Sequence, residues 1–113
     1  MELRFISWNA CGIRNVARLV ALREHAYQHN PTVIFIQKAF VGPLLGDRQS
    51  PTLSSYVSYV HPIRNGLITY VHSSVSHQLL CTSDDADMTV QLLEVALGLA
   101  RFVYVMFTLP LEE

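Results

Sequence analysis

The sequence predicts an α/β fold in the α+β sense: a mixed β-sheet with one main helix, spanning residues 1–113 as a single unit. Three observations carry this. A β-rich opening, Leu3 to Trp8, leads into one stretch of helical periodicity. A continuous apolar run, Val33-Ile34-Phe35-Ile36, follows, so strand, helix and buried strand form a βαβ-like opening. Beyond a long loop come five short β-rich runs separated by turn residues, the pattern of hairpins or an antiparallel meander.

Asn9-Ala10-Cys11-Gly12 breaks the first strand. Asn15 is a good helix N-cap, because its side chain can accept a hydrogen bond from an unpaired N–H of the first turn. Val16, Leu19, Val20, Ala26 and Tyr27 then recur at helical spacing. The helix ends near Asn30-Pro31, since proline disfavours helical geometry in the residue before it. Val33 to Ile36 shows no polar alternation, which predicts a strand covered on both faces at the centre of a sheet. Val41 to Ser55 is rich in Gly, Pro and Ser and reads as a loop, with one helical turn near Leu44-Leu45. The later strands are Tyr56 to Val60, Leu67 to Val71, Val75 to Cys81, Val90 to Leu97 and Phe102 to Phe107.

Composition narrows the function classes. Half of the residues are apolar and 15% are charged, which excludes a disordered chain. A formal net charge of −1 gives no electrostatic footprint for nucleic acid. Met1-Glu2-Leu3-Arg4 is not a leader, and Phe102 to Leu109 falls far short of the ~20 residues of a membrane helix. Cys11 and Cys81 lack zinc spacing and read as free thiols. An intracellular setting, cytoplasmic or nuclear, is the expectation.

Several side-chain groupings invite a chemical reading that the pattern does not sustain. His25 and His29 stand four apart on the helix, but no third metal ligand accompanies them. His61, His72 and His77 fall around turns and a strand and read as surface residues. Asp84, Asp85 and Asp87 lack the glycine and distal glutamate of a calcium loop, so a solvated turn is expected. Arg14, Arg18 and Arg23 lie on or just before the helix and could touch phosphate, but Glu24 and the weak net charge favour ordinary surface roles; Arg14 and Arg64 are kept as weak binding positions.

Four segments in order carry a family resemblance. Phe5-Ile6-Ser7-Trp8-Asn9-Ala10-Cys11-Gly12-Ile13-Arg14 is followed by Pro31-Thr32-Val33-Ile34-Phe35-Ile36-Gln37, then by Phe40-Val41-Gly42 and by Arg64-Asn65-Gly66-Leu67-Ile68-Thr69-Tyr70-Val71. Together they resemble the N-terminal half of an endonuclease/exonuclease/phosphatase-family domain, most like those of non-LTR retrotransposons. The resemblance implies a truncated half of a four-layer α/β sandwich, two packed sheets flanked by helices. It also implies Mg²⁺-dependent phosphodiester hydrolysis, in which a metal polarises phosphate and a base activates water.

Carried over residue by residue, the site is incomplete. Asn9 matches the family asparagine. Lys38 stands where the metal-binding glutamate should follow Gln37, and an ammonium cannot ligate a cation. Met106-Phe107-Thr108-Leu109-Pro110 corresponds to the family's Asn-x-Tyr-x-Pro, keeping only the proline. The resemblance further implies an Asp-x-Asn pair and an Asp-His pair, but no aspartate follows Asp87 and no histidine follows His77.

The expectation is therefore an inactive, truncated endonuclease-like domain with no bound metal, acting through a homodimer or a protein partner. Its interface is expected on Phe102, Val103, Val105 and Phe107. The alternatives are a Mg²⁺-dependent DNA endonuclease or a subunit of one, and a non-catalytic nucleic-acid binder. Nucleic-acid binding is expected to be weak or absent, and membrane binding is not expected.

Overall fold

A computed structural model describes residues 3–10, 16–37, 52–61, 66–84 and 89–108. The elements are β1 (Phe5–Asn9), α1 (Val16–His29), β2 (Val33–Gln37), β3 (Tyr56–His61), β4 (Leu67–His72), β5 (Ser76–Asp84), β6 (Thr89–Leu97) and β7 (Ala100–Thr108). They form a four-stranded sheet in the order β1-β2-β4-β3 and a three-stranded sheet in the order β5-β6-β7.

The first sheet is mixed. β1 and β2 run parallel, while β4 is antiparallel to both β2 and β3. β2 lies inside the sheet, and Val33 to Ile36 are all buried, as a strand apolar on both faces requires. Ile34 and Ile36 face one way and pack with Leu22 and Ala26 of α1, together with Ile68 and Tyr70. Val33 and Phe35 face the other way and meet Leu93, Val95 and Met106 of the second sheet. Full burial of such a side chain contributes roughly 1.5–3 kcal/mol, so both interfaces weigh heavily. The described residues thus build three layers: α1, the first sheet and the second sheet.

The second sheet is an antiparallel meander. A β-bulge between Leu79 and Cys81 interrupts β5. Leu97 pairs with Ala100 across the two-residue loop Gly98-Leu99, and Gly98 takes φ +58° at its first position. Two-residue hairpin loops need positive φ there, which glycine adopts without strain.

The helix ends where expected. Asn30 adopts φ 45°, and its N–H donates to Ala26 O at 3.0 Å, closing the last turn before Pro31. Arg4 Nη1 donates to His29 O at 3.0 Å and satisfies another terminal carbonyl. The buried stripe differs from the expected one. Leu22 and Ala26 are buried and Leu19 half-buried, whereas Val20 and Tyr27 are exposed. Both lie on the helix face turned away from the sheet, because α1 covers only one side. Among the described residues, no helix is long and apolar enough to cross a membrane. Asn15, Cys11 and the segment around Leu44-Leu45 lie outside the described residues.

Candidate functional site

Asn9, the implied site position that is described, lies at one end of the first sheet. Asn9 ends β1, and Gln37, its register partner, ends β2. The Ala10 N–H donates to Gln37 O at 2.9 Å and holds the two strand ends together. On the antiparallel strands, Leu67 and His61 complete the same row.

β7 runs toward this edge. Tyr104 stacks on Phe5 at the start of β1, with ring centroids 5.3 Å apart and planes 5° from parallel. Two residues on, Met106 Sδ lies 3.9 Å from Thr69 Oγ1, and Thr69 is paired with Phe35 in the row of Ser7. β7 ends at Thr108, whose backbone pairs with Thr89.

Along this row the described side chains are the amides of Asn9 and Gln37, then Leu67, then the His61 imidazole on the far edge strand. Asn9 is exposed and Gln37 half-buried. Among the described residues, His61 Nε2 is buried without a hydrogen-bond partner. Those residues also hold no group of three or more His, Cys, Asp and Glu side chains placed to bind a metal. Lys38, Arg14 and Arg64 lie outside the described residues.

Behind the edge, the two sheets share a buried polar bridge. Thr69 Oγ1 donates to Gln91 Oε1 at 2.6 Å, and both residues are fully buried. Sequence reading passed over this pair. Its signal was Gln91 itself, a single amide at an inward position two residues from Leu93 and four from Val95.

The histidines differ from expectation. His61, His72 and His77 are half-buried rather than surface residues. His77 Nδ1 lies 3.0 Å from Val75 O, which can only accept, so Nδ1 carries the proton. Nε2 is then the acceptor for the Tyr59 hydroxyl at 2.8 Å. This clamp joins β3 to β5 on the side of the sandwich opposite Phe5 and Tyr104. His72 Nδ1 accepts from the Ser74 N–H at 3.2 Å, and its ring meets Tyr56 edge-on at 5.1 Å. The Tyr56 hydroxyl donates to Pro31 O at 2.6 Å, and burial pushes its pKa up to about 12. His25 and His29 are exposed and stack at 5.8 Å. Arg23 donates to Thr52 O at 3.1 Å, an ordinary surface role.

Of the expected interface residues, Phe102, Val103 and Val105 are exposed, at 41%, 55% and 58%. Phe107 is described only by its backbone, paired with Val90. β7 does alternate: Met106 is buried and Tyr104 half-buried toward the first sheet, while Val103 and Val105 point outward. An apolar cleft of about 250 Å³ opens beside β1, lined by Ile6, Trp8, Leu22 and His25 among others.

No family model matches the chain, and no curated protein matches it. Solved structures do. The AP endonuclease LMAP from Leishmania major aligns over 91% of this chain with 19% identity and a TM-score of 0.70. D. rerio TDP2, solved with a single-strand DNA product, aligns over 98% with 16% identity and a TM-score of 0.73. A humanized form of D. rerio TDP2 aligns over 97% with 17% identity and a TM-score of 0.69. The fold is that of endonuclease/exonuclease/phosphatase proteins. Aligned regions cover 39%, 47% and 51% of those three chains, so this chain spans about half the length of its endonuclease-like neighbours.

Proposed function

We propose that this chain is a catalytically inactive endonuclease-like domain of retrotransposon type that acts by association, with itself or with a protein partner. The observation that carries the reading is the residue after Gln37. β2 ends at Gln37, the register partner of Asn9 at the end of β1, and Lys38 is the next residue in the sequence. A hard divalent cation favours carboxylate oxygens, and among the described residues the paired strand ends offer the amides of Asn9 and Gln37. That donor set does not fit Mg²⁺, so no catalytic step is derived through a metal. Association is supported by the exposed Phe102, Val103 and Val105 of β7, which no layer covers among the described residues. Nucleic-acid binding is at most weak in this reading, and the setting is intracellular.

Retention of Asn9 at the strand end favours a second reading, a Mg²⁺-dependent endonuclease subunit in which Lys38 has a new role. Plasmid nicking with Mg²⁺ or Mn²⁺ separates the two, run beside Asn9→Ala. The expected result is no cleavage above background. Cleavage that Asn9→Ala abolishes would overturn the inactive reading.

A further inference from the structure

Among the described residues, the sandwich has two sides that end in edge strands. One is formed by β3 and β5 and clamped by Tyr59 and His77. The other is formed by β1 and β7, the remaining edge strands of the two sheets, pinned side by side by the Phe5–Tyr104 stack. The two sides differ in how they meet a neighbouring strand. β5 carries a bulge, a device that ends regular pairing. Neither Phe5–Asn9 nor Ala100–Thr108 contains a proline or a bulge, and their one charge is Arg101, near the start of β7 and paired with Glu94. These strands lack the features with which exposed edges are usually blunted.

The main chain of β1 is oriented for further pairing. The Ala10 N–H donates to Gln37 O, and Arg4 O accepts from the Val33 N–H. Alternation along the strand then turns the main-chain groups of Phe5 and Ser7 away from β2. Phe5 of β1 and Phe102 of β7 are exposed, and Val103 and Val105 are exposed on the outer face of β7.

We propose that the β1–β7 side is the surface on which a second copy of this chain docks, by antiparallel pairing of β1 with β1 and β7 with β7. The inference rests on the self-association reading and assigns it a place. A two-fold axis normal to the sheets, set beside both edges, closes both at once, because each sheet continues into its copy within its own layer. One operator therefore removes two aggregation-prone edges. β7 has nine residues, a length of ~30 Å at ~3.4 Å per residue. Two sheets ~10 Å apart, with the edge of the helix layer, make the side ~25 Å deep. Each copy thus offers roughly 750 Å², close to the ~800 Å² per partner of a stable interface. β1 carries no charge and β7 carries only Arg101, which faces Glu94, so little like-charge repulsion opposes pairing of the surface with itself.

The test is sedimentation of the 113-residue chain at micromolar concentration, with Ser7→Lys, Val103→Lys and, on the opposite side, Val57→Lys. All three positions are exposed, so the substitutions leave the core intact. A dimer is expected that Ser7→Lys and Val103→Lys each weaken about tenfold or more, while Val57→Lys leaves it unchanged. A dimer untouched by both edge variants would overturn the assigned surface and leave self-association standing. A monomeric parent chain would overturn both. If the edge variants fail to fold, amide exchange on the parent decides. Protection of the Phe5 and Ser7 amides that rises with concentration is expected, and protection independent of concentration defeats the proposal.

Discussion

Thr69 and Gln91 join the two sheets through a buried hydrogen bond of 2.6 Å from the Thr69 hydroxyl to Gln91 Oε1. Each side chain is buried where water cannot replace its partner. Thr69→Val should therefore cost about 1–3 kcal/mol, the penalty for leaving a buried acceptor unpaired. Adding Gln91→Leu removes the orphaned amide and should recover most of that loss. Urea unfolding of the single and double variants measures both. Two equal, additive losses would mean that the bridge is not what links these positions.

Restoring the missing carboxylate should not restore a nuclease. Lys38→Glu adds one carboxylate next in sequence to Gln37, and the described residues hold no group of three or more His, Cys, Asp and Glu side chains placed to bind a metal. Nicking by the variant should match that of the parent chain. Mg²⁺-dependent nicking that appears with Lys38→Glu would show that more of a catalytic site is present than these strand ends supply.

Affinity for DNA should be low and should vanish at moderate salt. The formal net charge is −1, and Arg23 and Arg101 are engaged with Thr52 O and Glu94. Little counterion release is available to drive binding. Fluorescence anisotropy over a salt series gives the slope. Sub-micromolar affinity at physiological salt would promote a nucleic-acid-binding role.

Tyr56 should give the fold an alkaline limit. Its hydroxyl donates to Pro31 O, and burial raises its pKa from 10.0 to about 12. A raised pKa means that the folded state holds the proton more tightly than the unfolded chain. The associated stability is complete below pH 10.0 and is lost as pH climbs toward about 12. Tyr56→Phe should lower stability at neutral pH and flatten the decline in that window. Thermal unfolding of both proteins across the alkaline range checks it. Identical pH profiles would remove Tyr56 as the cause.

The order of elements was legible because it depends on short-range pattern. Val33 to Ile36 reads as a doubly covered strand and is one, and the helix stops at Asn30 as its neighbour Pro31 demands. The meander was legible from turn residues such as Gly98. What escaped the sequence depends on pairing across distance. Nothing local to Phe5 announces Tyr104, and nothing local to Tyr59 announces His77, because the sheets bring them together only after folding. The candidate site was legible through Asn9 and Gln37, whose strand ends the resemblance aligned. The faces of β7 were not, since six consecutive large side chains carry no polar marker of which side meets water.

That ambiguity yields a contrast between neighbours. Met106 is 2% exposed and lies between the sheets beside Thr69, whereas Val105 is 58% exposed on the outer face. A carboxylate at position 106 would be desolvated with no cation facing it among the described residues. An uncompensated buried charge is costly enough to dominate the few kcal/mol that hold a small domain together. Met106→Asp should therefore abolish cooperative unfolding. Val105→Asp places the same charge in solvent and should keep the native circular dichroism and a cooperative transition. Because β7 is an open edge, the new charge should also shift self-association toward monomer. Circular dichroism and sedimentation of the two variants decide the matter together. If Val105→Asp unfolds while Met106→Asp survives, the inward and outward faces of β7 are reversed, and the packing of the second sheet on the first must be redrawn.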